Sequence, residues 1–61
     1  MPAFDKLRNE LDKLRGKGLS VNNAFHKLVK KYHKNAKERE GLLYIQEQLE
    51  REGHPVTWPS F

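Results

Sequence analysis

Phe4, Leu7, Leu11 and Leu14 stand three, four and three residues apart. A helix of 3.6 residues per turn gathers such a set on one side, whereas a strand would scatter it over both faces. The spacing predicts a helix over 2–15, and Pro2 suits its first turn, where a missing amide proton costs nothing. The pattern stops at Gly16-Lys17-Gly18, where glycine can take the left-handed backbone that ends a helix and turns the chain. After a short linker, Ser20 precedes Val21, Ala24, Phe25, Leu28, Val29 and Tyr32, which predicts a capped second helix over 21–34. Asn35 followed by Glu38 has the cap-and-acid logic of a capping box, and Leu42, Ile45 and Leu49 supply the stripe of a third helix over 36–52, closed by Gly53. Gly41 within that stripe costs about 1 kcal/mol relative to Ala, so either a neighbour approaches closely there or the helix starts later.

Three such stripes joined by short turns predict an all-α fold, a small three-helix bundle. Its axes run up-down-up or cross, both arrangements resting on ridges-into-grooves packing. The remaining segment, 53–61, contains Pro55 and Pro59, which forbid helix, and two large aromatics, Trp58 and Phe61. It is expected to be an extended aromatic C-terminal tail packing back on the helices over the open end of the bundle. The whole chain, 1–61, is read as a single helical domain. At 61 residues a chain hides only about 60% of its unfolded surface, so a stability above roughly 3 to 5 kcal/mol is not expected. No cysteine is present to staple the fold or to supply thiolate chemistry, which fits a reducing, cytoplasmic setting. The start at Met1 shows no basic stretch followed by an apolar run, and the longest apolar string is Leu42 to Ile45, so neither a signal peptide nor a membrane span is expected.

The formal net charge of +4 conceals an asymmetry: residues 13–37 hold eight Lys and Arg and no carboxylate, whereas residues 38–52 hold five Glu against two Arg. On the second helix Lys27, Lys30 and Lys34 fall together opposite Phe25 and Tyr32, with Lys31 at the boundary. Evenly spaced cations of this kind can each meet a phosphate, and duplex DNA offers one negative charge per about 1.7 Å of axis. A solubilising face ordinarily intersperses Glu at four-residue spacing, as Lys6 with Glu10 and Arg8 with Asp12 do on the first helix. The candidate nucleic-acid-binding residues are therefore Lys27, Lys30, Lys31, Lys34 and Lys17, flanked by His26 and His33. The bland alternative for the same stripe is the solvated face of an amphipathic helix.

Leu11, Leu14, Arg15, Lys17-Gly18-Leu19-Ser20, Ala24 and Leu28 together resemble the opening of lambda-repressor-like helix-turn-helix domains. The likeness covers under a third of the chain. It ends where the second helix runs on to Lys34 and the third opens Lys37-Glu38-Arg39-Glu40, setting carboxylates where phosphates would lie, so no base-reading residue is carried over.

Other chemistry is thinly supplied. His26 and His33 are about 10.5 Å apart along a helix, too far for one tetrahedral metal, and His54 suits a helix C-terminus, so no metal and no cofactor are expected. Ser20 is needed as a cap and Ser60 lies near the end of the chain, so no catalytic triad has a scaffold, and an enzyme is not expected. On the third helix Leu43 and Tyr44 point away from the Leu42, Ile45 and Leu49 stripe and need another cover. Either the aromatic tail packs on them, or Leu43, Tyr44, Trp58 and Phe61 form an interface with an acidic protein surface or a second copy of the chain. The leading expectation is a non-enzymatic accessory or regulatory protein contacting DNA or RNA phosphates. The alternative is a small protein-binding adaptor or inhibitor, of a size common among phage and mobile-element proteins.

Overall fold

A computed structural model describes residues 2–60, with side chains described from Asp5 to Ser60. Three helices make it up, α1 (Pro2–Gly16), α2 (Val21–Tyr32) and α3 (Ala36–Arg51), and each packs against the other two. Among the described residues there is no strand, and no helix is long and apolar enough to cross a membrane. Leu7 and Leu11 of α1 meet Ala24, Phe25, Leu28 and Val29 of α2 and Leu42, Ile45 and Leu49 of α3 in one buried cluster, to which Val56 adds from beyond α3. Leu14, Leu19, Val21, Tyr32 and Trp58 pack around its margin. The three stripes read from the sequence are thus the inner faces, and the side chain of Phe4 lies outside the described residues.

The helix ends explain the turns. Beyond α1, Gly18 takes φ 99°, its N–H bonds Arg15 O at 3.0 Å and the N–H of Leu19 bonds Leu14 O at 3.4 Å. This paired closure is a Schellman motif, and Leu19 and Leu14 are its apolar pair against the core. Only Gly18 of the two glycines is left-handed, because Gly16 is the last residue of α1. Gly53, at φ 88°, repeats the motif after α3: its N–H bonds Glu50 O at 3.1 Å, and the N–H of His54 bonds Leu49 O at 2.8 Å. Ser20 Oγ accepts from the N–H of Asn23 at 3.2 Å, starting α2 as expected.

Three local expectations are corrected. The second helix ends at Tyr32, two residues before Lys34, because Asn35 adopts extended backbone (φ −95°, ψ 119°) to cap α3 and accepts from the N–H of Glu38 at 3.2 Å. Residues 33–35 are the turn this requires, closed by Asn35 N–H to Tyr32 O at 3.1 Å. That bond also leaves the capping box half made. The amide that Glu38 would reach back to is already satisfied, and Glu38 Oε2 is shielded from water without a partner among the described residues. The third helix itself ends one residue before the expected boundary, with Glu52 as its cap. Gly41 is buried in the interior of α3, which removes the alternative of a later start.

The segment 53–60 is non-helical beyond the Gly53 turn and lies against α2 and α3. Asn22 Oδ1 accepts from the N–H of Thr57 at 3.0 Å, His26 Nε2 lies 2.9 Å from Thr57 O, and Gln46 Nε2 donates to Val56 O at 3.1 Å. The ring of Trp58 meets Phe25 edge-on at 5.9 Å. This course leaves Leu43 and Tyr44 uncovered, 52% and 45% exposed, contrary to the expectation that the tail shields them. The tail runs along the α2 side of the molecule because its backbone partners, Asn22 and His26, are there; Phe61 lies outside the described residues.

The glycines provide a direct check on this account of the turns. A Cβ at Gly16, Gly18 or Gly53 would meet nothing within 4 Å, so only backbone conformation distinguishes them. Gly18→Ala and Gly53→Ala should each lower stability by about 1 kcal/mol, while Gly16→Ala should raise it by about 0.5 kcal/mol, read as shifts of the urea midpoint at unchanged slope.

Candidate functional site

The Schellman turn after α1 folds the chain so that the last turn of α1 runs beside α2. Between them opens a groove of about 430 Å³. Glu10, Lys13, Leu14 and Lys17 line one side, and Lys27, Leu28, Lys30 and Lys31 the other. Leu28 is buried and Leu14 half-buried, whereas Lys13, Lys17, Lys27, Lys30 and Lys31 are exposed, so the leucines lie at depth and the ammonium groups at the rim. The cause is the short period of α2: turning Phe25, Leu28 and Val29 inward sends Lys27, Lys30 and Lys31 outward.

One end of the groove is neutralised. Tyr32 Oη donates to Glu10 Oε1 at 2.6 Å and Lys31 Nζ donates to Glu10 Oε2 at 3.4 Å. Lys31 and Lys6 lie 5.2 Å and 5.9 Å from the centroid of the Tyr32 ring, within reach of its negative face. The bond from Tyr32, aided by the nearby Lys31, holds the Glu10 carboxyl below its ordinary range against the opposing effect of partial burial. Lys31 is held above its ordinary range, first by its interaction with Tyr32 and then by Glu10, and Tyr32 is pushed up chiefly by donating to Glu10. At the far end of the molecule Arg8 ties α1 to the end of α3, bonding Glu52 at 2.9 Å and lowering that carboxyl.

Lys17, Lys27, Lys30 and Lys31, four of the residues singled out from the sequence, therefore share this groove. Lys34 is placed in the turn after α2, off the helix that was to carry it, and is exposed. His33 is the C-cap of α2, its carbonyl accepting from Arg39 at 3.5 Å. His26 faces the tail, its Nε2 also 3.1 Å from Thr57 Oγ1; because a carbonyl can only accept, the ring nitrogen facing Thr57 O carries the proton. Leu43 and Tyr44 sit on the outer side of α3, where Gln48 donates to Tyr44 Oη at 3.4 Å. Trp58 is engaged with Phe25.

Lys13, Glu10 and Leu14 belong to the site and were missed. Lys13 begins the run without carboxylates, but its closeness to Lys27 and Lys30 depends on how α1 packs on α2, which periodicity alone does not reveal. Among the described residues no three His, Asp or Glu side chains converge as metal ligands would.

The Tyr32–Glu10 bond predicts an acid-side loss of stability. Because Glu10 titrates lower in the folded chain than its ordinary 4.5, its contribution is present above that value and is lost as pH falls through the depressed folded value. Tyr32→Phe should cost about 1 kcal/mol at neutral pH, a figure discounted for the partial exposure of Glu10, and should flatten this limb of a urea-unfolding series run from neutral to acid. Comparison of the chain with protein-family models, with curated proteins and with solved structures finds no match.

Proposed function

We propose that this is a non-catalytic, cytoplasmic nucleic-acid-binding protein that docks on phosphates through the groove between α1 and α2 and does accessory or regulatory work on DNA or RNA. The observation that supports this reading is the state of four lysines. Lys13 of α1, Lys17 of the turn after it, and Lys27 and Lys30 of α2 line one groove, and none of these side chains has an ion-pair, hydrogen-bond or ring partner among the described residues. Elsewhere on α1 and α3 cations do find carboxylates, Arg51 with Glu47 at 2.8 Å and Arg8 with Asp12 at 3.6 Å, so what sets these four apart is that they converge on one groove. Gathering like charges without partners is unfavourable in the free protein and is relieved by anions, of which a nucleic-acid strand offers a closely spaced row.

If the four lysines each neutralise one phosphate, affinity for a short mixed-sequence nucleic acid should fall roughly a hundredfold between about 50 and about 200 mM salt. Lys27→Ala and Lys30→Ala should each reduce the salt slope by about one contact's worth. Glu10→Gln should act in the opposite direction, releasing Lys31 and steepening the slope. Fluorescence anisotropy at several salt concentrations reads all of these, and a salt-independent or absent response defeats the proposal.

The half-exposed Leu43 and Tyr44 favour a second reading, an adaptor or inhibitor whose α3 face meets another protein surface, with a second copy of the chain as the simplest occupant. That reading expects a concentration-dependent mass in sedimentation equilibrium, abolished by Leu43→Ser with Tyr44→Ser. A monomer at the highest soluble concentration removes the homodimer.

A further inference from the structure

The groove has a property that phosphate docking does not call for: its depth is apolar. Half-buried Leu14 is the floor, with the buried Leu28 closing it from beneath, and the lysine side chains that rise from its edges carry about four methylenes each below their charged ends. A duplex backbone laid across this rim would hold charged phosphates and sugars over leucine, with the base faces shut inside the stack. Only an unstacked strand offers a flat apolar face and a closely spaced anion at the same time. We infer that the groove takes single-stranded nucleic acid, one base seated face-down on Leu14 and the lysine stems while the flanking phosphates meet Lys13 and Lys17 on one edge and Lys27 and Lys30 on the other. This rests on the phosphate-docking reading and adds to it the strandedness of the partner.

The character of the seat follows from what is nearby. Among the described residues no aromatic ring lines the groove: Trp58 is packed on Phe25, and Tyr32 is held by Glu10 beneath Lys31. Stacking on a ring is therefore replaced by contact with aliphatic carbon, which any base can make through its face and which carries no hydrogen-bond code. Binding should be indifferent to base identity but sensitive to the presence of a base. An acidic peptide is a poorer fit, because its carboxylates are separated from an apolar anchor by flexible stems, whereas a nucleotide holds base and phosphate at a short, fixed separation.

The test uses the full chain and fluorescence anisotropy with three labelled probes of equal phosphate number: a short single strand of mixed sequence, a blunt duplex, and a single strand in which every nucleotide is abasic. A polyglutamate peptide of equal charge serves as competitor. The expected result is that the base-bearing strand binds roughly tenfold more tightly than the abasic strand and more tightly than the duplex, with all three weakening in parallel as salt rises. Leu14→Ala should narrow the gap between base-bearing and abasic strands while leaving the abasic affinity unchanged, a difference that general loss of stability does not produce. Equal affinity for base-bearing and abasic strands, or tighter binding of the duplex, overturns the inference and leaves phosphate docking standing. Displacement by polyglutamate as effective as by unlabelled single strand also overturns it. No binding of any probe at about 50 mM salt removes the phosphate-docking reading and this inference together.

Discussion

Phe25 is the largest of the fully buried side chains, and it belongs to a helix of only twelve residues that must face both α1 and α3. With Ala24, Leu28 and Val29 it fills the space between Leu7 and Leu11 on one side and Leu42, Ile45 and Leu49 on the other. In so short a helix there is no residue to spare: each position is in this contact, against the tail or turned to water. Excluding water from the contact therefore settles the other face of α2 as well, and it assigns Lys27, Lys30 and Lys31 to the outside. Trp58 closes the Phe25 end of the same contact, so the course of the tail answers to the same requirement.

Around this apolar centre the backbone is satisfied at the starts of α2 and α3 and at the ends of α1 and α3. Ser20 and Asn35 serve the starts of α2 and α3, and Gly18 and Gly53 permit the two Schellman closures. The tail has no ladder or helix to join, and Asn22, His26 and Gln46 take up the polar groups of Val56 and Thr57. His26 and Asn22 are four residues apart, so one side of α2 presents both to the same stretch of chain. The outer surface of α2 is thereby divided, one side bound to the tail and the other left to the lysines.

The stripes at three- and four-residue spacing were legible because burial and helix period act on the same residues, and the caps because Ser20 and Asn35 supply an acceptor where an amide lacks one. The end of α2 was less legible. Tyr32, His33 and Lys34 all tolerate helix, and the stop is imposed from the following residue, since Asn35 cannot both continue α2 and cap α3. The lysine groove was visible only in half: the outer face of α2 follows from its own periodicity, whereas Lys13, Leu14 and Glu10 join it through the packing of two helices. The position of the tail depended on hydrogen bonds between Thr57 and the side chains of Asn22 and His26 that composition does not signal, which is why Leu43 and Tyr44, expected beneath it, stand open.

The unpaired lysines bear on the chain's own behaviour as well as on any ligand. Folding brings Lys13 and Lys17 alongside Lys27 and Lys30, so the native state confines positive charge that the unfolded chain spreads apart. Mobile ions screen that confinement. Added salt should therefore strengthen this fold while weakening its hold on anions. Anions that settle in the groove stabilise the native chain by mass action, which makes its melting temperature a property of the buffer anion as well as of the sequence.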